Sequence, residues 1–305
     1  MAAGGAIDSV LLVGFGGPTR ADEVRPFLDN VLRGRPVPRE RYEEVVRHYD
    51  LLGGRSPYND LTIRQADALR AALAGTPIRI EVGMRNWTPY IDDAMRTLAE
   101  VGARRTLAFI LAAHRSEASW ERYQASVRDA QAKLDGRASQ IVHPAPWHAH
   151  PKFISAVASR VGEALARFDG AERESMRLIF TAHSIPLAMA NASGYVDQLM
   201  QSSRLVADSL GITNWQLAYQ SRSGSPREPW LEPDVRDAIR NLDSRAAIVT
   251  PIGFLCDHVE VLYDLDIEAA AVARECGVRM ERAATVGDHP DFIAMMAAII
   301  REHLT

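Results

Sequence analysis

Between Asp257 and Glu268 the chain carries five carboxylates and one histidine, with no lysine or arginine. A solvated helix face usually mixes both signs of charge. Wound at 100° per residue, the segment places Asp257, Glu260, Asp264 and Glu268 within an arc of about 80°. Val259, Leu262 and Asp266 point elsewhere. Acids stacked on one side of a helix can hand protons, or hydrated divalent cations, from water to a buried site. The spacing therefore predicts metal or proton traffic.

Such a row needs a base or ligand at its inner end. His183 follows the apolar run Leu178–Thr181, and a neutral imidazole there accepts a proton near pH 7 or ligates a divalent metal. Glu260 is the carboxylate expected opposite it. For His183 taken alone, a capping or core histidine is an equal alternative; the acid row tips the reading toward chemistry. A second strand-end pair, His114-Arg115, either binds an anionic group or holds its loop.

Other chemistries lack their patterns. Gly14-Phe15-Gly16-Gly17-Pro18 follows the first apolar run but is not G-x-G-x-x-G, since Thr19 stands at the third glycine and Pro18 removes a donor N–H. A tight turn that lets something large approach the backbone is expected instead. There is no H-E-x-x-H and no paired C-x-x-C for zinc. Ser184 lies outside any G-x-S-x-G elbow, and no local motif activates Cys256.

Short apolar runs alternate with amphipathic stretches along the chain. Strands are expected at Ser9–Phe15, Ile78–Val82, Arg105–Leu111, Gln140–His143, Leu178–Thr181, Gln216–Tyr219 and Ala246–Pro251. Helices are expected at Pro89–Val101, Ser119–Leu134, Pro151–Phe168, Tyr195–Leu210 and His289–His303. This alternation predicts an α/β protein with parallel sheets flanked by helices, in two doubly wound domains rather than one barrel. The boundary falls near Pro144-Ala145-Pro146-Trp147. His114 and His183 each follow a strand, which hints at an internal repeat and sets both at the edge where open α/β sheets gather ligands.

With 305 residues, 47% of them apolar, the chain can build a core in each half. The net charge of −4 argues against nucleic acid. Two cysteines cannot form a disulfide framework or a four-thiolate cluster, and they fit a reducing, cytoplasmic setting. The N-terminal apolar run is too short for a signal peptide or a membrane span.

Taken together, the motifs resemble the ferrochelatase family over nearly the whole chain. Thr181-Ala182-His183-Ser184-Ile185-Pro186 is similar to S-A-H-S-[LI]-P, and the run from Pro251 to Asp266 to P-[IV]-G-F-x-x-D-H-x-E-x-L-Y-x-x-D. Tyr219-Gln220-Ser221-Arg222 with Pro229-Trp230-Leu231-Glu232-Pro233 resembles Y-Q-S-[KR] with P-W-L-x-P. Gly53-Gly54-Arg55-Ser56-Pro57 and Gly83-Met84-Arg85 match G-G-x-S-P and G-M-R.

The resemblance implies insertion of Fe²⁺ into protoporphyrin IX or coproporphyrin III, with release of two protons, in haem biosynthesis. It implies two Rossmann-like, chelatase-type domains with a porphyrin cleft between them. Residues 1–145, joined by a C-terminal helix at 286–305, would form one domain; residues 146–285 would form the other, carrying His183 and Glu260. By the same match His183 and Glu260 are the catalytic, metal-facing pair. Asp264, Glu268 and Asp257 line the metal and proton path, on a helix locally wound as a π-helix. Phe15, Arg33, Ser56, Arg85, His114, Arg115, Tyr123 and Trp230 are the expected porphyrin contacts, with the arginines placed to bind propionates.

No cofactor and no [2Fe-2S] cluster are expected; Fe²⁺ is a substrate. The expected partners are porphyrin and Fe²⁺ and no nucleic acid, with transient membrane or haem-pathway enzyme contact and monomer against weak dimer left open. Three departures stand out. Phe15 replaces a tyrosine of several relatives, Ala112-Ala113-His114-Arg115-Ser116 replaces A-P-H-[YF]-S, and Ser193-Gly194-Tyr195 replaces G-D-P-Y. The rival readings are another tetrapyrrole chelatase of the same fold, a catalytically silent porphyrin carrier, and a nucleotide-binding protein.

Overall fold

The computed structural model describes residues 5–224 and 227–304. Its strands are β1 (Ser9–Gly14), β2 (Arg79–Met84), β3 (Arg105–Ile110), β4 (Gln140–Val142), β5 (Arg177–His183), β6 (Trp215–Gln220), β7 (Ala246–Thr250) and β8 (Arg279–Arg282). They form two four-stranded parallel sheets of order β2-β1-β3-β4 and β6-β5-β7-β8. The central strands are continuous apolar runs because helices cover both faces. Every residue of β1 and of β7 is buried.

An eighth strand joins the seven expected from sequence. Arg279-Met280-Glu281-Arg282 has no apolar run, since it is an edge strand paired only with β7 and partly open to water. The two sheets repeat one strand order, but not in the register that the histidine motifs suggested. Those motifs matched β3 with β5; by strand order the counterpart of β5 is β1, so Gly14-Phe15, not His114, lies where His183 lies in its own sheet.

The chain divides into two compact units. The first comprises residues up to Leu111, Trp120–Ala145 and the chain from Ile293; the second comprises Ala112–Ser119 and Pro146–Phe292. The expected division, 1–145 with 286–305 against 146–285, differs from this in Ala112–Ser119 and in the segment up to Phe292. Ala112–Ser119 is held by the second unit, where the Arg115 N–H donates to Gln198 Oε1 at 2.9 Å and His114 bonds Ser202. The last helix is Pro290–Glu302, and Val286–His289 ahead of it is not helical. Phe292 packs with Trp147 and Phe153 in the second unit. Further along, the Ile7 N–H donates to His303 O and Arg301 donates to Ala72 O in the first. Among the described residues no helix is long and apolar enough to cross a membrane.

Two features of the second sheet position the site. β5 runs two residues past the expected Thr181, because its pairing with β6 continues to His183↔Gln220. The helical segment after β7 opens as Val259–Val261 and continues as a π-helix, Leu262–Ala269. Val261, Leu265 and Ala269 form its apolar row, fully buried with Ile179, Val249 and Ile239. Burial of a Val or Leu side chain contributes roughly 1.5–3 kcal/mol. This row fixes the rotation of the helix, and the residue before each anchor is an acid: Glu260, Asp264 and Glu268.

Gly253 lets the loop after β7 lie against the end of β5. A Cβ there would stand 2.6 Å from Ala182 Cβ and 2.8 Å from its Cα, next to His183. Gly253→Ala is expected to cost about 1–3 kcal/mol by overpacking. Urea unfolding should show a lower midpoint at an unchanged slope; an unchanged midpoint would contradict the close approach.

Candidate active site

His183 is the last residue of β5, and its surroundings leave it one conformation. Its Nδ1 lies 2.5 Å from the Ser184 carbonyl oxygen, which only accepts, so Nδ1 carries a proton and Nε2 is the ring nitrogen left to take up or release one. The buried Tyr195 hydroxyl donates to the His183 carbonyl at 3.0 Å. The Ser184 N–H donates to Gln220 O at 2.7 Å, and its Oγ to Leu231 O at 2.9 Å. Nε2 faces Glu260, 4.0 Å from Oε2.

Glu260 starts the acid helix, and His258 caps that start by accepting the Glu260 N–H on Nδ1 at 3.2 Å. Burial pushes the His258 pKa down, against the pull of Glu260, and keeps the imidazole neutral and able to accept. Asp264 follows on the π-turn. Gln220 Nε2 donates to its Oδ2 at 3.4 Å, and the Ser221 hydroxyl donates to the same oxygen. Burial, then the negative charges of Glu260 and Glu268, push Asp264 up to about 7, opposed by the Ser221 hydroxyl and by His183. Asp264 therefore takes up and releases a proton near neutrality. Glu268 ends the row, half-buried, with Arg236 Nη1 at 3.4 Å from Oε2.

Asp257 does not join the row. The straight-helix projection put it in line, but the helix begins at Val259. Its carboxylate accepts instead from Arg282 Nη1 and the Thr285 N–H, both at 3.1 Å. Asp266, on the other side of the π-turn, also pairs with Arg282.

In the first unit, Arg85 follows β2 directly. Nε donates to Ser126 Oγ at 3.2 Å, and the guanidinium stands 5.8 Å from the Tyr123 ring centroid. Burial, then the like charges of Arg33, Arg122 and Arg35, lower its pKa. Arg33 donates to the Arg85 carbonyl at 3.2 Å. Guanidiniums gathered in this way suit a carboxylate-bearing ligand. The half-buried Phe15 ring meets Phe27 edge-on. Ser56 is buried, and its N–H donates to Pro18 O at 2.8 Å. The N–H groups of Phe15 and Gly17 donate to Tyr58 Oη and Asn59 Oδ1, so the glycine loop turns these donors inward rather than toward a phosphate.

Two expected porphyrin contacts are buried in this structure. His114 is only 2% exposed, with Nε2 3.0 Å from Ser202 Oγ. Trp230 is buried over Gly224, and its segment pairs with Ile185–Leu187 through Pro186. Arg115 is half-buried in the second unit.

The ferrochelatase sequence profile matches residues 8–304. The chain belongs to the ferrochelatase family. It is 43% identical to a ferrochelatase of Rhodopirellula baltica, over 97% of this chain and 86% of the relative. It is 39% identical to a coproporphyrin III ferrochelatase of Mycolicibacterium smegmatis (98% and 90%) and 40% identical to one of Streptomyces coelicolor (97% and 85%). SirB from Bacillus subtilis, solved with Fe³⁺, shares the fold at a TM-score of 0.63 and 11% identity, over 97% of this chain and 95% of SirB. This family member thus has the two chelatase-type, Rossmann-like sheets that its sequence implied.

Sequence reasoning missed the residues that tune the row: Tyr195, Gln220, Ser221, Arg236 and the capping role of His258. Gln220 and Ser221 stand in the Y-Q-S-R block, so their presence was visible. That Ser221 adopts φ 61° and turns its hydroxyl to Asp264 was not.

Burial lowers the His114 pKa to about 3, so the folded protein keeps this ring neutral while the unfolded chain protonates near 6.5. Stability from this group is whole above about pH 6.5 and falls as pH drops toward 3, by up to about 1.4 kcal/mol per pH unit. His114→Asn should flatten that part of the stability–pH curve. An unaltered slope in the variant would contradict the buried neutral state.

Proposed function

We propose that this ferrochelatase-family protein inserts Fe²⁺ into a porphyrin, releasing two protons, and that its porphyrin is coproporphyrin III. The observation that carries the reaction is His183 Nε2, its ring oriented through Nδ1, facing Glu260 at 4.0 Å at one end of the acid row. Metalation must remove the pyrrole protons and strip water from the metal. His183 Nε2 takes a pyrrole proton, Glu260 stabilises the imidazolium formed, and Asp264 passes the proton outward. Carboxylate and imidazole hold Fe²⁺ weakly enough to release it.

The choice of porphyrin rests on the guanidinium set around Arg85 and on relatives named for coproporphyrin III. Coproporphyrin carries more propionates than protoporphyrin, and several arginines in one place favour the more acidic ligand. The reaction uses no further cofactor in this account. Cys256 and Cys276 form no disulfide, which suits a cytoplasmic site of action.

Anaerobic absorbance with Fe²⁺ and each porphyrin tests both halves. Wild type should metalate coproporphyrin III faster than protoporphyrin IX. His183→Ala and Glu260→Gln should lower kcat by about 10²-fold or more while porphyrin still binds. Arg85→Met should raise the KM for coproporphyrin about tenfold with little change in kcat. Tight porphyrin binding without metalation would make the protein a carrier. A preference for protoporphyrin would overturn the substrate alone.

A further inference from the structure

Arg236 touches the acid row at Glu268, and its geometry is that of a fixed charge. Its N–H and Nε each donate to Asp234 Oδ1 at 2.8 Å, and Nη2 donates to Asp234 Oδ2 at 2.9 Å. Asp234 is fastened in turn. It caps the short helix Val235–Arg240, its backbone forms a parallel bridge with Tyr219 of β6, and the neighbouring Pro233 carbonyl accepts the Tyr219 N–H. Val235 and Ile239 of that helix share the buried core with Val261, Leu265 and Ala269. The contact from Arg236 Nη1 to Glu268 is longer, at 3.4 Å. A Glu268 carboxylate that swings toward an arriving cation thus leaves the guanidinium behind, still clamped by Asp234.

We propose that Arg236 is a specificity-determining residue for cation entry: a clamped counter-charge that keeps the outer end of the acid row weak, so that divalent ions pass inward instead of lodging between Glu268 and Asp234. This rests on the reading of the row as the metal path. Without the guanidinium, Asp234 and Glu268 would lose the positive charge they share, and carboxylates brought together in this way hold hard divalent ions more tightly. The charge also acts through water, so its effect declines with salt.

The test compares wild type with Arg236→Gln and Arg236→Lys. Mn²⁺ binding to the porphyrin-free protein is read by electron paramagnetic resonance, and apparent KM values are measured for Fe²⁺ and for porphyrin. Arg236→Gln should tighten Mn²⁺ binding and lower the KM for Fe²⁺, each roughly three- to tenfold, the size expected of one unit charge near a divalent ion at a hydrated surface. The KM for porphyrin should stay within about twofold, a margin under 0.5 kcal/mol. Arg236→Lys, which keeps the charge, should resemble wild type. If Arg236→Gln is too unstable to assay, Arg236→Leu retains an apolar stem and carries the same expectation. Unchanged or weaker Mn²⁺ binding in the neutral variants, with wild-type metalation intact, would overturn the role of Arg236 alone. A wild type that metalates no porphyrin would overturn the metal path and this proposal with it.

Discussion

The structure turns on the crowding of Glu260, Asp264 and Glu268 along one helix at the carboxyl edge of a parallel sheet. Three carboxylates at this spacing repel one another, and the middle one is half-buried. The fold sustains them because Val261, Leu265 and Ala269 pin the same helix into the core one residue further on. The charge is then relieved locally. Asp264 is pushed toward protonation, Ser221 and Gln220 donate to it, and Arg236 lies against Glu268. His183, oriented by its Nδ1 contact with a carbonyl, presents Nε2 to Glu260. Each of these groups would be unremarkable alone; together they line up an imidazole, the carboxylate facing it, an acid that titrates near neutrality and a carboxylate paired with Arg236.

The two units share a strand order but have divided their chemistry. In the first, guanidiniums surround the residue after β2, and the glycine loop after β1 is bonded inward by Tyr58 and Asn59. In the second, the ends of β5 and β6 bring His183 beside Gln220, and the helix after β7 supplies the acids. One unit is suited to anions and the other to protons and cations. That division matches a substrate pair made of an acidic macrocycle and a divalent metal.

Much of this was legible in the residues. Periodicity gave seven of the eight strands because buried parallel strands are continuous apolar runs. It missed β8, whose edge position leaves Arg279 and Glu281 free of the need to be apolar. The row from Glu260 to Glu268 was readable because spacing of four survives the change from α to π winding. Asp257 was misplaced because a projection carries no information about where a helix starts, and the start is set by the His258 cap. His114 looked functional for the same reason as His183, a histidine after a strand. Only its burial against Ser202 separates the two. The tuning groups, Ser221 and Arg236, were hidden because their roles arise from contacts across 43 and 32 residues of chain.

The most direct measurement is the pH dependence of kcat for wild type and Asp264→Asn under saturating Fe²⁺ and porphyrin. A protonated Asp264 cannot accept a proton from the inner pair, so wild-type kcat should rise with pH through an inflection near about 7, the value to which burial and its neighbours push this carboxyl. Asp264→Asn should be slower and should lack that inflection. A variant with the wild-type rate and the same inflection would show that protons leave by another route, and the acid row would lose its central place.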